Sequence, residues 1–347
     1  MFKRKQSSPS VVGLELDPSH IAAAEVAVNG SITVTRGAVA SLRPGLLRDG
    51  EAQDPAGLAD ALRDFFEEHD LPRTVRLGVA NQRIVVRSLD LPPIADAKAL
   101  QAAVEAEAPD HIPMPMDEAV VDFQSLGIVA TPQGPRTRVV IVAVRRDVVD
   151  RLVHACREAG LRIEGIDLSA FAMVRALAPA GVEEALLYVN VAGLTNVAVA
   201  NASGCLFTRA AAGGLDAMVH TLSERRALTG EHARQWMRHV GLLAPLEELE
   251  GDPELLAATR GVLEDGVHQL ADTVRNSLNF YRMQDGAENV DRALLTGPAV
   301  AIPGFAERLS DQLRIPVEPV VVGVDGDQEL DAGRLSVAAG LAIAERH

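Results

Sequence analysis

The chain states one plan twice. Residues 11–36, VVGLELDPSHIAAAEVAVNGSITVTR, and residues 186–209, LLYVNVAGLTNVAVANASGCLFTR, each read as apolar strand, short polar turn, apolar strand, Gly turn, then Thr-Arg. Glu15 precedes Asn190 by 175 positions, Asn29-Gly30 precedes Ser203-Gly204 by 174, and Arg36 precedes Arg209 by 173. Offsets this constant mark an internal duplication, so the chain is expected to fold as two similar halves. A length of 347 residues agrees, because single cores rarely grow beyond about 250–300 residues.

Composition narrows the class. Hydrophobic residues make up 48% and charged residues 23%, enough apolar surface for a sizeable core and too much for wholesale disorder. Aromatic residues are only 3%, so Leu, Val, Ile and Ala must fill that core. A net charge of −15 argues against nucleic-acid binding, which draws on surplus Lys and Arg to release phosphate counterions. Cys156 and Cys205 stand far apart with no CxxC or Cys/His spacing, which fits inert thiols in a reducing compartment, not a disulfide or zinc framework.

MFKRKQSSPS is followed by no apolar run of signal-peptide type, and the best apolar run, 184–200, is broken by Tyr188, Asn190, Gly193, Thr195 and Asn196. These readings point to a cytoplasmic chain without a spanning helix. Lys3, Arg4 and Lys5 are read as a solvated tail that touches anionic lipid weakly at most.

Element signals divide the chain further. Strands are expected at 11–16, 21–28 and 31–36, the last two joined at the Asn29-Gly30 turn, then a helix over 55–68 opened by Asp54-Pro55 and a strand over 75–80. Residues 83–148 read as an inserted unit: a strand at RIVVRSLDL, helix 96–108, strands 119–126 and 137–144, and a helix from 147 to 159 that leads out of it. Pro109, Pro113 and Pro115 in APDHIPMPM are expected to stop the helix before an extended link. Strand 161–166 and helix 168–178 close the first half. Helices near 215–227, 230–240, 253–260 and 262–284 follow the second hairpin, then strand 293–295, helix 304–313, strand 317–321 and helix 332–345.

Three turns form one candidate constellation: Glu15 to Ser19, Asn190 to Thr195, and Thr296 to Pro298. Facing hairpins with polar tips are the arrangement that, in folds of this kind, holds a nucleotide's phosphates. Such a cradle needs backbone N–H groups unobstructed by Cβ atoms, supplied by Gly and small hydroxyl residues. No HExxH, GxSxG or Walker-type motif is present among the 347 residues, and the nine histidines form no ligand spacing, so neither catalytic nor metal-binding residues are assigned.

In order and spacing, GLELDPSHIAAAEV, SLDLP, EAEAPDHIPMPMDEAVVDFQSLG, LYVNVAGLTNVAVA, FTRAAAGG, VRNSLNFY, LLTGPAVAIPGF and VAAGLAIA resemble the PilM family of type IV pilus assembly proteins. That family belongs to the actin-like ATPase superfamily, which also holds FtsA. The resemblance covers roughly residues 10–345. It implies an α/β, actin-like (ribonuclease H-like) duplicated fold with a small inserted α+β subdomain. The first domain would be 10–82 and 149–180, the inserted subdomain 83–148, and the second domain 181–347 with a helical insertion at about 215–270.

The resemblance also implies a nucleotide site, ATP or ADP with Mg, at Glu15, Asp17, Ser19, Asn190, Gly193, Thr195, Gly213, Gly214 and Gly297. The match is degenerate. Where the family reads Asp-Ile-Gly-Ser with a nearby Lys, this chain has Glu15, Leu16, Asp17 and Pro18 with Ala22; where it reads Asp-Ile-Gly-Ala, this chain begins with Asn190. Ala233, Arg234 and Met237 fall at the nucleoside positions, and Pro298 replaces the second Gly of the adenosine turn. A carboxylate at Asp17 about 5 Å from a phosphate would repel each unit charge by roughly 1–3 kcal/mol, unless Mg bridged the two. Asn190, a neutral amide, is a poor general base. Weak or absent nucleotide binding and no hydrolysis are therefore expected, with a nucleotide-regulated ATPase as the alternative.

For partners, the resemblance implies a cytoplasmic adaptor that captures the N-terminal cytoplasmic tail of a PilN-like inner-membrane protein and joins the PilN, PilO and PilP complex to the pilus motor. Membrane contact would be indirect, at the inner face of the cytoplasmic membrane. The tail is expected in a groove between the first domain and the inserted unit, with Leu89, Leu91, Ile112 and Met114 as candidate contacts.

Overall fold

The computed structural model describes residues 11–132, 134–326 and 331–344. The first hairpin comprises β1 (Val12–Asp17), β2 (His20–Val28) and β3 (Ile32–Ser41). A two-residue pair, β4 (Leu47–Arg48) and β5 (Glu51–Ala52), leads into α1 (Pro55–Glu68) and β6 (Thr74–Val79). Helix α1 begins where the sequence says it should: the Asp54 side chain accepts from the Gly57 N–H at 2.9 Å with Pro55 as first helical residue, and Leu58, Ala59, Leu62, Phe65 and Phe66 form its buried stripe.

The inserted unit carries β7 (Val85–Leu91), α2 (Ala97–His111), β8 (Ala119–Thr131) and β9 (Gly134–Arg145), and α3 (Arg146–Glu158) returns the chain to β10 (Arg162–Leu168) and α4 (Ser169–Leu177). The second half holds β11 (Leu186–Val191), β12 (Leu194–Asn201), β13 (Gly204–Ala212), α5 (Leu215–Arg226), α6 (Gly230–Val240) and α7 (Pro253–Arg282). It ends with β14 (Ala293–Thr296), α8 (Phe305–Leu313), β15 (Val317–Pro319), β16 (Gly323–Val324) and α9 (Ala332–Leu341).

Two main sheets result, ordered β10-β6-β1-β2-β3-β16 and β13-β12-β11-β14-β15, with a three-stranded sheet β7-β9-β8 in the inserted unit. The duplication is visible in register. The β2–β3 ladder shifts between Glu25 and Val26, and the β12–β13 ladder shifts between Val199 and Ala200, 174 positions later. The Thr-Arg repeat does not superpose: Arg36 lies opposite Glu25, whereas Phe207, not Arg209, lies opposite Val199. The second hairpin closes with two residues between Asn201 and Gly204, the first with three between Val28 and Ile32, so the downstream strands fall out of step.

Helices α4 and α9 lie between the two sheets and share one core with Ala22, Ala24, Leu186, Tyr188, Ala198 and Leu294. Small residues allow the close crossing: a Cβ on Gly340 would stand 1.9 Å from the Ala172 carbonyl oxygen. The boundary at residue 181 is crossed in space, because β16 pairs with β3 and α9 shares a core with the first hairpin.

Two further expectations change. Residues 253–282 form the single 30-residue helix α7, uninterrupted at Gly261, since an isolated Gly costs only about 1 kcal/mol against Ala. Helix α2 runs through Pro109 to His111; a proline in the last turn removes one hydrogen bond without ending the helix at once. The tail residues Lys3 to Lys5 lie outside the described residues, and the helix expected to reach 345 ends at Leu341, capped at Ala342.

Candidate functional site

The two repeated tips touch. Asp17 ends β1, and its Oδ2 accepts from the backbone N–H of Gly193 at 3.0 Å and of Leu194 at 3.4 Å in the second tip. Its Oδ1 accepts from the Ser19 N–H at 3.2 Å and the Ser19 Oγ at 3.4 Å, and lies 3.1 Å from His20 Nδ1. Thr195 Oγ donates to the Gly213 carbonyl at 2.6 Å and so ties the tip to the bend before α5. Gly213 has φ +81°, a left-handed conformation, whereas Gly214 is extended and is small for a different reason: a Cβ there would meet the Ala192 carbonyl oxygen at 2.4 Å.

Charge gathers around this contact. Arg334, from the first turn of α9, contacts His20 Nδ1 and lies 3.7 Å from Asp331 and 3.9 Å from Asp216. Asp216 also accepts from Arg234 of α6 at 3.3 Å, and Arg238 pairs with Asp331 at 3.1 Å. Glu15 and Asp17 are 4% and 5% exposed, yet they titrate in opposite directions. Burial raises the Glu15 carboxyl well above its ordinary range, the Asp17 charge raises it further, and Arg334 offsets only part. For Asp17 burial is also the largest influence, but His20, the Ser19 N–H and Arg334 together outweigh it and the net displacement is downward. The shared buried site thus favours the charged form of Asp17 and disfavours that of Glu15.

Asn190 is also buried, and its Oδ1 has no hydrogen-bond partner among the described residues. A Cβ on Gly297, where φ is +91°, would stand 2.3 Å from that oxygen. Asp17, His20 and Asp216 approach one another closely enough to suggest a cation site, but the Arg334 guanidinium already contacts His20 Nδ1.

A second hollow lies between the first sheet and the inserted unit. It measures about 140 Å³ and is walled by Val120, Asp122 and Gln124 of β8, Ile166 of β10, Val142 of β9 and Phe171 of α4. β8 and β10 are the outer strands of their sheets. Ile166 is 42% exposed, which marks an apolar side chain at the open wall.

A family model for the type IV pilus assembly protein PilM matches residues 13–343. This chain belongs to the PilM family. The solved structure of a PilM–PilN type IV pilus biogenesis complex aligns at 25% identity and a TM-score of 0.77, over 96% of this chain and 97% of the matched one. The fold extends further. The ethanolamine utilization protein EutJ from Carboxydothermus hydrogenoformans aligns at 15% identity and a TM-score of 0.53, covering 97% of this chain and 90% of its own. MreB5 of Spiroplasma citri, solved with ADP bound, aligns at 12% and 0.52, covering 96% and 95%. The α/β actin-like architecture expected from the sequence is therefore that of this chain.

In this PilM-family chain, groups of the protein itself occupy part of the cleft. The donors of the second tip are taken by Asp17. Between Leu215, Arg234, Met237, Pro298 and Arg334 the free volume is about 10 Å³, while Thr195, Gly213 and Gly214 border a separate hollow of about 240 Å³ against α5 and α7. No helix among the described residues is long and apolar enough to cross a membrane. Cys156 and Cys205 are both buried, and burial pushes each thiol up to about 12, as expected of unreactive cysteines.

Of the four expected partner contacts, Leu89 and Leu91 border a hollow of about 700 Å³ between the inserted unit and α7. Leu89, Leu91 and Ile112 are buried in the inserted unit's own core, and Met114 packs against it. Alternation along β7 turns Val85, Leu89 and Leu91 toward that core and Val86 toward the core of the first half. Sequence reasoning also passed over His20, Asp216 and Arg334. Arg334 had a readable signal as the sole charged residue of α9. Asp216 sits at the start of α5 and is indistinguishable there from an ordinary first-turn acid.

Proposed function

We propose that this protein is a non-hydrolysing adaptor of type IV pilus assembly that captures the cytoplasmic tail of a PilN-like membrane protein in the groove between β8 and β10. The observation that carries this reading is the open groove itself, apolar at Ile166, Val142 and Phe171 and bordered by the outer strands of two sheets. An extended peptide entering such a groove gains main-chain hydrogen bonds from a strand edge and specificity from alternate side chains. Family membership and the PilM–PilN neighbour support the partner. The interhalf cleft supports the absence of turnover, because Asn190 offers no base and Asp17 occupies the donors.

The test is fluorescence anisotropy of a labelled synthetic tail peptide from the cognate PilN-like protein, titrated with the folded full-length chain. Saturable 1:1 binding, weakened by Ile166→Asp, is the expected result. A folded chain that leaves the peptide free removes the adaptor reading. Sustained phosphate release from ATP would instead favour the ATPase alternative.

A further inference from the structure

We propose that Asp17 is a built-in substitute for a ligand phosphate: a carboxylate that latches the two halves across an anion cradle which the chain fills for itself. The inference rests on reading the cleft as degenerate and goes beyond it, because it gives the altered turn a task. Three backbone N–H groups converge on this one side chain, from Gly193 and Leu194 in the second half and from Ser19 in the first. Convergent N–H groups from facing turns are what an anion-binding nest provides. The Ser19 hydroxyl adds a fourth donor, and Arg334 supplies positive charge behind His20.

Sterics agree with a resident carboxylate. A Cβ on Gly193 would stand 2.2 Å from Asp17 Oδ1 and 2.9 Å from Asp216 Oδ2, so this glycine makes room for carboxylates already in the chain. The repulsion expected between Asp17 and a bound phosphate is thereby turned around. The same negative charge, placed on the near side of the cradle, becomes the ligand. Closure of the halves then requires no nucleotide, and removing the carboxylate exposes an anion site.

The experiment compares full-length wild type and Asp17→Ala by calorimetric titration with inorganic phosphate and by thermal unfolding in phosphate or chloride at matched ionic strength. Wild type is expected to give no heat and no phosphate-specific shift. The variant is expected to melt lower, to bind phosphate 1:1 at least about 10-fold more tightly than wild type, and to recover several degrees as phosphate is added. An Asp17→Ala chain that melts like wild type and ignores phosphate overturns the latch, as does wild type that binds phosphate or Mg-ATP equally well. Should Asp17→Ala not fold, Asp17→Asn decides: a midpoint lowered by several degrees supports the latch, and an unchanged midpoint overturns it. Tail binding measured on the same samples separates the two readings, since it depends on the groove and not on the cradle.

Discussion

Two regions of this molecule differ in what lines them. At the cleft between the halves the chain's own groups meet: Asp17 on the Gly193 and Leu194 N–H groups, and Arg334 and Met237 around a space of roughly 10 Å³, beside a hollow of about 240 Å³ bordered by Thr195, Gly213 and Gly214. The groove beside the inserted unit stays open at about 140 Å³ and exposes Ile166. A buried polar group is costly unless partnered, and Asp17 meets that cost through donors from both halves. An apolar groove has no such requirement and can wait for a partner.

The largest effect is expected at the α4–α9 crossing, whose core is shared by both sheets. Gly340→Leu would force a side chain against the Ala172 backbone and should cost more than about 3 kcal/mol or abolish folding, read as a urea midpoint; a shift within about 0.5 kcal/mol would show that the crossing does not hold the halves together. Next, Leu89→Ala should destabilise by about 2–4 kcal/mol through a cavity in the inserted unit, yet leave tail affinity within about twofold. A selective loss of peptide binding would return Leu89 to the groove wall.

Ile166→Asp should do the reverse, lowering tail affinity about 10- to 100-fold while the melting midpoint stays within a few degrees. Smaller and confined to the cleft is the effect of Glu15→Gln. Because the native Glu15 pKa is raised, its ionisation opposes folding, and stability falls as pH climbs above the unfolded value near about 4.3 toward the native one. The Gln variant should therefore be more stable by about 1–3 kcal/mol at pH 8 and lose that advantage near pH 4. Asp17 works in the other direction. Its lowered native pKa contributes stability above about pH 4 that is lost as pH falls through the native value, so acid should loosen the latch while sparing tail binding.

Much of this was legible beforehand because it is local. Asp54-Pro55 and the apolar spacing behind it place α1 to the residue, and the repeated strand–turn–strand plan gives both hairpins and the cleft between them. Reading failed where a local signal was weak against its surroundings. Gly261 did not break α7, and Pro109 did not end α2, since a helix packed along its length absorbs a cost of about 1 kcal/mol from a single Gly. Which face of β7 meets α2 was not legible, because it depends on packing that no single strand encodes.

By itself the sequence determined the duplicated halves, the inserted unit and the family, since hydrophobic period, turn chemistry and motif order act over short stretches of chain. Only the tertiary structure decided that Asp17 meets Gly193, 176 positions away, and that Arg334 reaches His20 across 314. An acid in a turn can repel a ligand or replace it. Which it does is set by donors that arrive from the other half, and their position is fixed only when the sheets close on α4 and α9.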